Sequence, residues 1–351
     1  MPTFEVLAAH GVDAARWQSY VDLLPHECRD VILTPAYYRI QEVAGGRGRC
    51  AVYGDGEAFV IQPFMHRDIA GSFLTDITSP YGFGGPFVGH HNVGGVSESA
   101  IVELWKLFDA EFSKWRANES VVSEYCALPP HVWEYQAVAL RAAGVDVRET
   151  KEAALIRVDR SDDEILADAH ESRRQLLGRA RRDGLMAAPY DDAGGFHERY
   201  AASMNVKEAA ARWRLSESYF RSHDALMPDR GVMISVGREC AAIVLFGGRI
   251  AHYHFAARAP KASPGSGEML IMAACRAARI AGATWLNLGG GLTSSHDDSL
   301  WKYKSSWTPH RAAVRHYTRI FDQAAYESLT VAASQPLGAT WFPAYRAGEA
   351  S

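Results

Sequence analysis

The chain has 351 residues, is 48% hydrophobic and 22% charged, and carries a formal net charge of −4. This is the composition of a folded globular protein, and the length suits two domains better than one. The acidic balance excludes a protein that coats nucleic acid through bulk positive charge, though not a local basic patch. No apolar run reaches the ~18 residues a membrane-spanning helix needs, so no membrane insertion is expected. The opening segment MPTFEVLAAHGVDAARW lacks the basic-then-apolar order of a signal peptide, which predicts a cytoplasmic protein. Cys28, Cys50, Cys126, Cys240 and Cys275 form no CxxC pair and read as reduced, buried thiols.

Residues 51–69 read as a hairpin turning at Gly54-Asp55-Gly56. An amphipathic helix follows over 98–117, with Ile101, Leu104, Trp105, Phe108, Phe112 and Trp115 at helical spacing, and then a strand over 120–128. After strand-like runs at 145–158, a single helix is predicted from Ser161 to Gly184. Ser161 and Glu164 make its capping box. Ile165, Ala169, Leu176 and Ala180 form its inward face, Arg174, Arg181 and Arg182 its outer face, with Arg173 and Arg179 flanking. Residues 186–230 hold one or two ordinary helices. A second hairpin over 241–257 turns at Gly247-Gly248, a helix over 267–281 ends at Gly282, and a strand covers 284–288. Hairpin, helix and strand thus occur twice, which predicts two similar mixed α/β domains that meet near residues 145–158.

Four stretches can carry chemistry, and each has two readings. Five arginines within ten residues are either a solvated helix face or a phosphate-binding one. PKASPGSGEML (260–270) runs a Gly-Ser-Gly turn into a helix, which either cradles an anion or simply precedes a buried helix. TDITSPYGFGGPFVGHHNVGG (75–95) offers Tyr81 and Phe83 to stack on a substrate or to cover the core edge. Its His90 and His91 have no partner at metal-ligand spacing, and no metal site is expected. In TWLNLGGGLTSSHDDSLWKYKSSWTP (284–309), Asn287 ends a strand and three glycines allow a ligand close to the backbone. Lys304 there is either an anion or oxyanion group or a surface lysine on a helix. Asp298 either orients that loop or caps the helix. His252 and His254 alternate on one strand face, as proton acceptors or as an inward, hydrogen-bonded pair.

Taken in order, SPYGFGGP (79–86), SRRQLLGRARRDGL (172–185), YAASMNVKEAAARWRLSESYF (200–220) and LGGGLTSSHDDSLWKYKSSW (288–307) resemble the Fem-type (FemABX-like) transferases. That family builds peptidoglycan bridges and has relatives in uridyl-peptide antibiotic assembly. The resemblance spans about residues 15–320. It implies two GNAT-like domains, each a mixed sheet flanked by helices. These would be 1–150, with the tail 316–351 packing back on it, and 151–315. It implies transfer of an aminoacyl group from aminoacyl-tRNA to the amine of a small-molecule or peptidyl acceptor, with no cofactor. An acyl-CoA-dependent N-acyltransferase is the alternative, opposed by the weak Gly-x-Gly match, in which Ala262 stands where that loop carries Gln or Arg.

By motif, Lys304 stabilises the oxyanion, preceded by Tyr303 where the family carries Phe. In that frame Trp301 and Tyr303 are expected to shape the donor channel and Asp298 to orient the lysine loop. Asp76, Tyr81 and Phe83 are expected to line the acceptor cleft, with His252 and His254 near the substrate. Arg173, Arg174, Arg179, Arg181, Arg182 and Lys302 are expected to meet tRNA phosphates. Peptidoglycan members often place Asp two residues after the Gly-Pro of the first motif, whereas Phe87, Val88, Gly89 and His90 follow Gly85-Pro86 here. There is also no room for the family's coiled-coil arm. Both departures favour a compact protein with an acceptor other than the lipid-linked wall precursor.

Overall fold

A computed structural model describes residues 3–54, 58–90, 97–207, 209–336 and 341–350. Asp55 and Gly56 of the first hairpin turn, and His91, lie outside them. The chain divides into two compact units, Met1–Glu149 with Arg315–Ser351, and Thr150–Val314.

The first unit begins with β1 (Thr3–Ala8), α1 (Gly11–Leu23), α2 (Pro35–Glu42), β2 (Arg47–Gly54), β3 (Ala58–Asp68), β4 (Thr75–Thr78) and β5 (Phe87–His90). It continues through α3 (Glu98–Asn118), β6 (Val121–Leu128) and α4 (Trp133–Ala142). Strand β7 (Val147–Arg157) leads into the second unit, with α5 (Asp162–Asp168), α6 (Glu171–Arg182), β8 (Ala187–Pro189), α7 (Ala193–Val206) and α8 (Glu217–Arg221). Then come β9 (Gly231–Val236), β10 (Cys240–Gly247), β11 (Ile250–Arg258), α9 (Ser266–Ile280), β12 (Trp285–Gly289) and α10 (Ser299–Ser305). Strand β13 (Arg311–Ile320) and α11 (Gln323–Ala332) complete the first unit.

Each unit is a mixed sheet with helices against it. The first has strand order β1-β2-β3-β4-β6-β13 with β5 on β3, and the second β7-β12-β11-β10-β9-β8. In both, a hairpin is followed by a helix and then by a strand that returns parallel, β6 beside β4 and β12 beside β11. A helical crossover is the connection that parallel neighbours require. Ser97 caps α3, whose Leu104, Trp105, Phe108 and Phe112 enter the first unit's core beside Val60, Phe64 and Ile77. In the second unit, Leu270, Ile271, Ala274 and Cys275 of α9 meet Ala242, Val244 and Leu286. The five cysteines are free and buried. No helix among the described residues is long and apolar enough to cross a membrane.

The predicted helix 161–184 is in fact two. The Ser161–Glu164 capping box starts α5, but Ala169 turns to an extended conformation, φ −74° and ψ 145°. His170 then caps α6 by accepting from the Ser172 amide. The break resets the helical phase, so Leu177, not Leu176, is buried with Ala180.

Candidate functional site

In the second unit the parallel pair β11–β12 holds for three positions, Ile250↔Trp285, Ala251↔Leu286 and His252↔Asn287, while β11 runs on to Arg258. At its end Asn287 is buried. Its Oδ1 accepts from the Gly289 amide at 2.7 Å, and its Nδ2 stands 3.5 Å from His252 Nδ1. Gly289 takes φ +73°, a left-handed conformation in which a side chain is strained. A Cβ on Gly290 would stand 2.6 Å from the Glu152 carbonyl oxygen, and one on Gly291 2.9 Å from the Asp298 carboxylate. The three glycines therefore turn the chain sharply and let β7 and α10 close around it.

Two lysines converge on that turn. Lys304, on α10, donates from Nζ to the Gly290 carbonyl at 3.0 Å. Lys151, on β7, donates to the Gly291 carbonyl, also at 3.0 Å. Neither ammonium forms an ion pair with a described carboxylate. Burial and then the neighbouring Lys151 charge push the Lys304 pKa down to about 8, opposed by Asp298. Burial also lowers Lys151. An ammonium has three donors, so each lysine keeps donors beyond its one carbonyl bond. Lys151 was missed in the sequence, where it is one charge among several in RETKEAAL.

Asp298 is the N-cap of α10: it accepts from the Trp301 amide at 2.9 Å and the Thr293 amide at 3.0 Å. These amides hold its carboxyl below the usual carboxylate range. It thus fixes the loop before the lysine helix from a capping position. Trp301 is 7% exposed in the unit's core, under the Arg311 guanidinium at 5.2 Å. Lys302 is exposed and pairs with Asp297 at 2.9 Å.

Tyr303 belongs to a second group on the same helix. The Arg173 guanidinium lies 5.2 Å from its ring centroid and binds the buried Glu268 at 2.7 Å. Glu268 stands in the first turn of α9, where a carboxylate suits the helix dipole. Burial and Glu268 raise the Tyr303 pKa, so the phenol stays protonated. Arg173 is thereby engaged inside the unit, while the exposed Arg174 donates from Nη1 to the Leu166 and Ala169 carbonyls at the end of α5. Arg179 pairs loosely with Asp183 at 3.5 Å, and Arg181 and Arg182 are exposed. The Gly-Ser-Gly turn serves packing: a Cβ on Gly265 would meet the Leu176 carbonyl oxygen of α6 at 2.3 Å.

His252 is buried, and His254 stands at a one-residue bulge in β11, where Ile243 pairs with Phe255 but Val244 with Tyr253. Burial, then His223 and His252, depress the His254 pKa well below the ordinary histidine value. His254, and His223 packed against it, are therefore held in the neutral form. Among the described residues no group of three or more His, Cys, Asp or Glu side chains is placed to hold a metal.

The residues expected at an acceptor cleft lie in the first unit. Asp76 is 0% exposed and accepts from Arg67 Nε at 2.7 Å, the Tyr345 hydroxyl at 3.0 Å and Arg346 Nε at 2.6 Å. It is a buried anchor for the C-terminal segment, and its oxygens are committed to these groups. Tyr81 and Phe83 sit in a loop held by Gly84 donating to the Ala127 carbonyl, by Ser79 Oγ accepting from the Ala127 amide, and by Gln41 accepting from the Tyr81 amide. Tyr81 is 41% exposed.

No family model matches the sequence, and no curated protein sequence does. Solved structures do resemble it. One is FemX, at 15% identity and a TM-score of 0.72, covering 92% of this chain and 99% of that one. Another is the C-terminal domain of a putative lysylphosphatidylglycerol synthetase from Agrobacterium fabrum, at 14% identity and a TM-score of 0.55, covering 91% and 96%. A third is L-PGS from Bacillus licheniformis, at 12% identity and a TM-score of 0.52, covering 84% and 90%. Across nearly its whole length, the chain therefore has the Fem-type fold, shared with FemX.

Proposed function

We propose that the protein is an acyltransferase that moves an aminoacyl group from aminoacyl-tRNA to the amine of a small-molecule or peptidyl acceptor. The observation that carries this reading is Lys304: a half-buried ammonium without a carboxylate partner, held on a main-chain carbonyl at the end of β12. The neutral amine attacks the ester carbonyl and forms the C–N bond. The tetrahedral oxyanion is met by the Lys304 ammonium, the bond to the ribose oxygen breaks, and the amine proton ends on the released hydroxyl. A donor of this kind supplies about 3–4 kcal/mol to the transition state. No covalent enzyme intermediate is needed, because the ester is already activated.

Arg174, Arg179, Arg181 and Arg182 of α6, with Lys302 of α10, are the exposed groups that meet tRNA phosphates. The acyl-CoA alternative loses support from the Gly-Ser-Gly turn, since Gly265 is spent on close packing beneath α6. The acceptor differs from the lipid-linked wall precursor. The stretch after Gly85-Pro86 has no carboxylate, and Phe87 is buried as β5 pairs with β3.

Incubation with total charged tRNA and candidate amines, with and without RNase, tests the donor. Product that survives RNase and depends instead on a coenzyme A thioester would refute it. Efficient transfer to lipid II or UDP-muramoyl-pentapeptide would refute the acceptor assignment alone.

A further inference from the structure

A basic pocket in the first unit takes no part in the chemistry above. Arg47 and Arg49 are two residues apart on β2 and so project from one face, with His66 of β3 paired to Arg47. Together with Val6, Trp115 and Glu119 they line a cavity of about 480 Å³, within the range of small-molecule sites. Arg47 is held by the exposed Asp68 through both terminal nitrogens, at 2.7 and 3.0 Å, whereas the Arg49 side chain has no ion-pair or hydrogen-bond partner among the described residues. His66 is 2% exposed, and its Nε2 is buried without a hydrogen-bond partner. The Trp115 ring meets the His66 ring edge-on at 5.3 Å.

An unsatisfied buried imidazole nitrogen is costly, and the Arg49 guanidinium lacks a counter-charge. A bound anion relieves both. We propose that this pocket binds the phosphate group of a nucleotide-sized ligand, with the phosphate forked by Arg49 beside the Arg47–Asp68 pair and accepting from His66 Nε2. Guanidinium planes match phosphate oxygens two at a time, which favours phosphate over a halide or a lone carboxylate. The partly exposed Trp115 gives a flat face for a base, and Glu119 on the cavity wall accepts from a sugar hydroxyl. Burial and the two arginines hold the empty-pocket His66 down to about 4, so it is neutral until an anion arrives. Binding then raises its proton affinity, so protons are taken up as the anion binds on the acid side of neutrality.

The probes are inorganic phosphate, uridine 5′-monophosphate and a short single-stranded RNA, titrated into the full chain by calorimetry while the His66 ring signals are followed by NMR. Binding of a phosphate ligand should shift the His66 signals, and Arg49→Met should weaken it about tenfold or more, as loss of a charge-assisted hydrogen bond does. Arg49→Lys should fall between the two. His66→Gln should abolish the proton uptake while leaving circular dichroism native. Tighter binding of the monophosphate assigns a terminal phosphate, tighter binding of RNA a backbone phosphate, and either supports the site. No binding at millimolar ligand, or binding indifferent to Arg49→Met in a folded protein, would overturn it.

Discussion

The two units carry the same parallel strand pair, and its end differs between them. In the first, β4 and β6 stay together through Thr78↔Tyr125, and the Ser79 amide then bonds the Tyr125 carbonyl, so the SPYGFGGP loop seals the strand ends. In the second, β11 and β12 separate after His252↔Asn287, and the exit is a glycine turn with two lysines on its carbonyls. Each unit also keeps a buried or half-buried charge near that point. Asp76 in the first is fully neutralised by arginines, whereas Lys304 in the second is not paired. A charge satisfied by its own chain builds structure, and one left with unused donors is available to a reacting group.

Four substitutions would break or sharpen this contrast. Asp76→Ala leaves two guanidiniums without their shared carboxylate and should cost about 3–5 kcal/mol of stability, read by urea unfolding, with only an indirect effect on turnover. Lys304→Met should do the reverse: a loss of about 10²–10³ in kcat with an unfolding midpoint at or above the native one. Gly290→Ala pushes a methyl against the Glu152 carbonyl and should cost about 1–3 kcal/mol, together with activity, because the same shift moves the Lys304 anchor. Arg179→Ala removes an exposed pair with Asp183 and should change stability by less than about 1 kcal/mol. Its effect belongs instead in a reduced salt dependence of tRNA binding. A large stability loss from Lys304→Met, or full activity after it, would erase the distinction between the units.

The duplicated hairpin–helix–strand order was legible because it is written in local periodicity. So was the turn at Gly289–Gly291, where three adjacent glycines need no distant context. What escaped depends on partners far along the chain. Lys151 reaches its place only because β7 pairs with β12, which brings it to a carbonyl 140 residues away. Asp76 reads as a free carboxylate until Tyr345 and Arg346, 269 and 270 residues on, are folded against it. The break within the arginine-rich helix escaped for a different reason. Alanine and histidine at 169 and 170 keep a helical pattern, yet the backbone turns there and commits Arg173 and Arg174 to internal bonds. The bulge at His254 likewise leaves no mark in strict alternation.

The account turns on Lys304 acting as a cation. Its pKa near 8 gives that claim a sign: the ammonium is present below about pH 8 and lost above it. The decisive measurement is the single-turnover rate of aminoacyl transfer from charged tRNA across pH 6.5–9.5, on a scale spanning that value, for the native chain and for Lys304→Arg. Titration of the acceptor amine is common to both and cancels in their ratio. Because arginine stays charged, the native rate should fall relative to the variant as pH rises through about 8. A native rate that instead climbs relative to Lys304→Arg through that pH would mean that the neutral amine does the work, and would contradict the claim.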